Sequence, residues 1–228
     1  MKNLIYKSFF LFCILILVSF KNDTTKLPKG FVYVTDIIPN LKLDLRYFTK
    51  HNFVGKPING YKSNKCILTI QAANALKKVQ DELLEQNLCI QVYDAYRPQK
   101  AVNHFIKWAK DFKDTINKEQ YYPKIKKRNL FKLQYIATHS RHSSGSTVDL
   151  TIYSNKTGSV LDMGSDYDYF GKESWVNYQN LTKQQIKNRQ LLQTVMLTNG
   201  FRSYPKEWWH FTLRFEPYRN QYFDFNVE

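Results

Sequence analysis

The stretch "THSRHSSGSTVDLTIY", Thr138 to Tyr153, sets two histidines three residues apart, ahead of a Ser- and Gly-rich turn and an aspartate heading an apolar run. Side chains an odd number of residues apart on one continuous strand point to opposite faces. His142 and Asp149 therefore converge only if Gly145 and its serine neighbours turn the chain between them, leaving Asp149 on the strand that follows. Metal ligation is the chemistry such a pair suggests. A catalytic zinc takes three ligands from His, Asp or Glu and keeps a fourth position for water.

The chain has five histidines, His51, His104, His139, His142 and His210. The third ligand is best sought in "PKEWWHF", where His210 follows Glu207 by three. An unbroken strand would again part these two, but Pro205 favours a local bend, with Glu207 at the strand entrance and His210 just inside it. A carboxylate beside the metal suits hydrolysis, because it can take the proton of an attacking water. Taken singly, both pieces also fit a polar turn, and the Trp208-Trp209 pair reads as packing.

Around these motifs the pattern is mixed. "GFVYVTDII" and "LKLDLRYF" alternate like strands on either side of a Pro-Asn turn. A helix is expected over Ile70 to Gln86, capped by Thr69, with Ala72, Leu76, Val79 and Leu83 forming one apolar stripe. A strand should occupy Leu88 to Tyr93, and "DAYRPQKAVNHFIKWAK" restarts as a helix with Pro98 in its first turn. Asp111 to Asn129 reads as a polar, irregular excursion. A last helix, Lys183 to Thr198, lies between a Thr182 cap and Asn199-Gly200, and "EWWHFTLRF" closes the domain as a strand. There is no regular βαβ rhythm, so the expected class is α+β, with a mostly antiparallel central sheet flanked by helices.

At 228 residues, 43% hydrophobic and 16% aromatic, the composition is globular and ample for one buried core. Lys and Arg exceed Asp and Glu by 34 to 19. The densest basic part, Lys107 to Lys132, lacks the Gly-rich or repeated aromatic pattern of a nucleic-acid reader, and no nucleic-acid partner is expected. In residues 1–22, Lys2 and Lys7 precede an apolar run from Phe9 to Val18. That is the form of a secretory signal, and too short for a comfortable membrane span. With no small-x-small cleavage site after it, an uncleaved N-terminal anchor stays open, and with it a membrane tether through this segment alone. Residues 23–228 then form one exported domain, periplasmic or otherwise extracytoplasmic. Cys66 and Cys89 both sit in apolar segments, where either a disulfide or buried free thiols would fit.

"SRHSSGSTVDLTIY" together with "EWWHF" resembles the paired signature of the D-alanyl-D-alanine dipeptidases. These zinc enzymes belong to a wider group of D,D-peptidases that shares its fold with the hedgehog signalling domain. Ser140, His142, Gly145, Asp149, Glu207 and His210 fit the pattern Ser-x-His-x-x-Gly-x-x-x-Asp followed downstream by Glu-x-x-His. "LDLRYFTKHNFVGKPINGY", "VYDAYRPQKA" and "LDMGSDYDYF" resemble further blocks of the dipeptidase branch, in the expected order. The resemblance covers nearly the whole chain after the leader.

The resemblance implies one Zn2+ per chain on His142, Asp149 and His210, with Glu207 as general base. It implies that Arg97 stabilises the oxyanion of the scissile carbonyl, a task suited to a fixed guanidinium in a water-poor site. Ser140 and Asp168 would touch the substrate, a small D,D-dipeptide whose ammonium Asp168 would pair, with Asp162 and Asp166 as rivals for that task. A D,D- or L,D-carboxypeptidase trimming peptidoglycan stem peptides would need the same ligands. The Asp111 to Phe131 segment looks longer and more basic than the family pattern, and His139 has no place in the metal set.

Overall fold

Strand β5 (Thr147–Ser154) shows why an acid can sit in the middle of this domain. Val148, Leu150 and Ile152 point to one face and are fully buried, while Asp149 and Thr151 point to the other. In the computed structural model, which describes residues 27–228, β5 is central to a six-stranded sheet. The expected leader, residues 1–22, lies outside the described residues.

The strands are β1 (Phe31–Tyr33), β2 (Lys42–Leu43), β3 (Ile67–Thr69), β4 (Leu88–Asp94), β5 (Thr147–Ser154), β6 (Ser159–Val160), β7 (Phe201–Tyr204) and β8 (Glu207–Leu213). The helices are α1 (Val34–Ile37), α2 (Ile70–Leu84), α3 (Gln99–Lys110), α4 (Lys118–Tyr121) and α5 (Lys183–Thr198). The main sheet runs β2-β4-β5-β8-β7, with β6 also paired to β5. Only β2 against β4 is parallel in it, so the α+β class with a mostly antiparallel sheet holds. β1 and β3 form a separate antiparallel pair.

Helix α2 packs on β4 and α5 on β7 and β8, and the two helices also touch. The stripe Ala72, Leu76, Val79 and Leu83 is fully buried, as its spacing predicts. Thr69 caps α2 by accepting from the Ala72 amide, and the helix stops at Leu84, two residues short of expectation. Asn87, at a φ of 58°, turns the chain directly into β4. Helix α5 matches its expected bounds, and Thr182 with Gln185 forms a reciprocal capping box at its start.

The N-terminal segments depart from the alternation read as strands. After three strand residues, α1 begins, because one helical turn lets Val34 and Ile38 both face the core. Strand β2 ends after two residues. The Asp44 amide still bonds the Val92 carbonyl, and a 3-10 turn at Arg46–Phe48 then buries Tyr47. The excursion after α3 is not featureless: α4 lies in it, and the nearly buried Lys127 ties it together. Its ammonium donates to the Asp111 and Asp114 carbonyls and lies 3.9 Å over the Trp108 ring. Cys66 and Cys89 are buried free thiols, and burial pushes both thiol pKa values up.

The turn ahead of β5 needs its glycine. Gly145 has a φ of +79°, and a Cβ there would run into the Phe31 ring. Gly145→Ala is therefore expected to destabilise the fold by about 2 kcal/mol or more, read as a lowered midpoint of thermal or denaturant unfolding. A midpoint equal to wild type would refute the conformational reading.

Candidate active site

Three backbone devices bring the site together. The first is register. His210 on β8 lies directly opposite Asp149 on β5, and Asp149 lies opposite Asp94 on β4, so three side chains form one row across three strands. A register shift between Val92 and Asp94 puts Asp94 in that row. The second is the 3-10 turn Arg141–Ser144, capped by Ser140, whose hydroxyl accepts from the His142 amide. Ending at Gly145, it swings His142 back over β5. The third is the β7–β8 hairpin. Ser203 pairs with Phe211 but Tyr204 pairs with Glu207, so Trp208 to His210 loop out from β7. That irregularity at the Pro205 turn brings Glu207 Oε2 within 3.4 Å of His210 Nδ1, although the residues are three apart.

The result is a close triangle. Asp149 Oδ1 stands 3.2 Å from His142 Nε2 and 3.0 Å from His210 Nδ1, and the two ring nitrogens are 3.3 Å apart. Ligands of a tetrahedral zinc at about 2.0–2.1 Å are separated by roughly 3.3 Å, so the three atoms fit such an ion. Asp149 Oδ1 is buried and accepts no hydrogen bond, an orphan acceptor that a cation would satisfy. His142 is already set for ligation: its Nδ1–H donates to the Ala95 carbonyl at 2.6 Å, leaving the Nε2 lone pair toward the triangle. Among the described residues, His142, Asp149 and His210 form the one cluster of this kind.

Charges around the triangle are unequal. Burial alone would raise the Asp149 carboxyl pKa, but the two histidines beside it hold it well below the ordinary carboxylate value. Burial lowers the His142 pKa. For His210 burial acts in the same direction, but Asp149 and Glu207 outweigh it and raise that pKa. Glu207 is raised by burial, with His210 opposing and Asp149 reinforcing. A carboxyl shifted upward is a better proton acceptor than an ordinary surface acid.

Arg97 borders the same cleft of about 220 Å3. Its Nε donates to Asp94 Oδ2 at 2.9 Å, Nη2 lies 3.5 Å from Asp149 Oδ2, and the guanidinium sits about 5 Å over the Tyr47 and Phe105 rings. Asp94 in turn accepts from the Tyr61 hydroxyl at 2.6 Å. Asp168, at a φ of 62°, is buried at the cleft and accepts from the Tyr47 hydroxyl at 2.9 Å. Burial and the Asp149 charge push its pKa well up. Its two rivals lie elsewhere: Asp162 holds Gly164 and Gln185, and both Asp162 and Asp166 line a separate cavity. Ser140 borders the cleft. So does His139, exposed and stacked on Tyr222 with ring centroids 4.5 Å apart.

Asp94, which holds Arg97 from behind the cleft, could have been found from its spacing of three to Arg97 within "DAYRP". Other residues had no signal of their own in the sequence. Tyr47, Tyr204 and the wall Gln134 to Ala137 reach the cleft only through tertiary packing. That wall follows the basic excursion and is held to the hairpin by Lys206, which donates to the Leu133 carbonyl and to Gln134 Oε1.

Comparison with known proteins agrees with this geometry. The profile of the D-ala-D-ala dipeptidase family matches residues 28–228. A D-alanyl-D-alanine dipeptidase of Enterococcus faecium is 38% identical over 199 residues, spanning 87% of this chain and 98% of its own. One from Enterococcus faecalis is 37% identical over 201 residues, 88% of this chain and 100% of its own. One from Escherichia coli is 30% identical over 192 residues, covering 84% and 86%.

Zinc added to metal-free protein should raise the thermal midpoint. At a hundredfold excess over Kd the added stability is about 2.7 kcal/mol. His142→Ala, Asp149→Ala and His210→Ala should each abolish that shift, and a shift retained in all three would place the ion elsewhere.

Proposed function

The chain belongs to the D-ala-D-ala dipeptidase family, and on that premise we propose that it is an exported zinc peptidase hydrolysing D-alanyl-D-alanine and related D,D-dipeptides. The observation that carries the reading is the triangle of His142, Asp149 and His210 with Glu207 3.4 Å from its edge, in a cleft that also holds Arg97 and Asp168.

The residues divide the work as follows. His142, Asp149 and His210 would hold a zinc ion, which would supply Lewis acidity and lower the pKa of the attacking water. Glu207 takes the proton of the attacking water and later returns it to the leaving amine. Arg97, held by Asp94, presents a fixed positive charge to the oxyanion that develops on the scissile carbonyl, where low dielectric strengthens it. Asp168 receives the substrate's free ammonium. A cation there offsets the penalty of a buried carboxylate, and a longer stem peptide has no free ammonium next to its scissile bond. Ser140 offers its hydroxyl at the cleft wall. The signal-like residues 1–22 support placement outside the cytoplasm.

A carboxypeptidase acting on stem peptides is the second reading, since its ligands would be identical. Buried Asp168 favours the dipeptidase. Assay of free D,D- and L,D-dipeptides against a stem pentapeptide, with and without chelator, decides between them. Dipeptide hydrolysis lost in chelator is expected, and preference for the pentapeptide would reverse the order. Glu207→Ala should keep its zinc while turnover falls by roughly two to four orders of magnitude. Undiminished turnover would remove Glu207 from the mechanism.

A further inference from the structure

Asp149 has two carboxylate oxygens with different surroundings. Oδ1 faces the two histidines and accepts no hydrogen bond. Oδ2 accepts from the Tyr167 hydroxyl at 3.0 Å. Arg97 Nη2, at 3.5 Å, is an ion-pair neighbour but beyond good hydrogen-bond length. Tyr167 thus makes the one hydrogen bond that the Asp149 side chain accepts among the described residues.

We propose that Tyr167 is a positioning residue for the metal carboxylate, fixing Asp149 Oδ2 so that Oδ1 alone is presented to the ion. This rests on the zinc reading of the triad and extends it to a residue outside the ligand set. A ligating carboxylate whose second oxygen is unheld can rotate or offer both oxygens. An outer donor removes that freedom before the ion arrives.

The tyrosine is built to hold its place. Its ring stacks on Tyr93 with centroids 4.6 Å apart and meets the Trp209 edge at 5.3 Å. Trp209 belongs to the segment that carries Glu207 and His210, so one motif both supplies a ligand and braces the positioning residue. The left-handed backbone at Asp168 lets two consecutive residues reach inward, Tyr167 to Asp149 and Asp168 to Tyr47. The two tyrosine hydroxyls are 3.2 Å apart. Tyr167 therefore serves the metal acid while Tyr47 serves Asp168, and the pair stands between two buried carboxylates.

Two variants of the full chain that keep their rings separate this role from general packing. Zinc affinity is measured by competition with a chromogenic chelator, and stability by thermal unfolding of the metal-free protein. Tyr167→Phe should weaken zinc binding about tenfold, with the metal-free midpoint within a few degrees of wild type. Tyr47→Phe, which removes a hydroxyl that does not touch Asp149, should keep zinc affinity within about twofold of wild type. Wild-type zinc affinity in Tyr167→Phe overturns the proposal, as does an equal loss in both variants. A wild-type chain that takes up no zinc overturns the metal reading and the proposal together, a result distinct from either of those.

Discussion

The arrangement of the domain follows from one buried carboxylate. Asp149 sits on the central strand of a sheet whose other face is hydrocarbon, and an ionised carboxylate there is tolerated only with compensating partners. Two histidines, a guanidinium and a tyrosine hydroxyl surround it. Three more acids lie close by, Asp94, Asp168 and Glu207; of the two arginines lining the cleft, Arg97 lies against Asp149 and Asp94, while Arg141 is paired with Glu216. A divalent ion on the triad would offset the remaining imbalance. The same concentration of charge makes the cleft a place where fixed dipoles act strongly.

Holding these groups in register requires departures from regular structure at defined positions. The shift at Val92/Asp94, the left-handed Gly145 and the looped-out Trp208 to His210 each bring onto one side a residue that an unbroken strand would place on the other. Each is local, and each lies at the end of a strand that is otherwise regular. Outside the cleft, charge does different work. Buried Lys127 satisfies backbone carbonyls of the excursion, and Lys206 ties the cleft wall to the hairpin turn. Part of the basic excess therefore serves the chain's own backbone.

The elements most legible from sequence were those whose pattern repeats over several turns with clear ends. Helices α2 and α5 had an apolar stripe or strong caps, and both formed nearly where expected. The two short N-terminal segments do form strands, β1 and β2, but each stops after two or three residues, because alternation over a few residues also fits a helical turn with two inward side chains. What separated the two was burial of Val34, Ile38 and Tyr47, a property of the assembled core.

The sequence by itself determined the ligand types, the glycine and proline that permit the two turns, and, through motif order, the family. Only the tertiary structure decided which acid faces the cleft among Asp162, Asp166 and Asp168, that Asp94 orients Arg97, and that Tyr167 holds the second oxygen of Asp149. The physical reason is range. Turn chemistry and ligand chemistry are local properties of residue type and spacing. Hydrogen bonds between residues far apart in the chain depend on strand register and on which face each side chain takes, and those are fixed only when the sheet and its helices pack together.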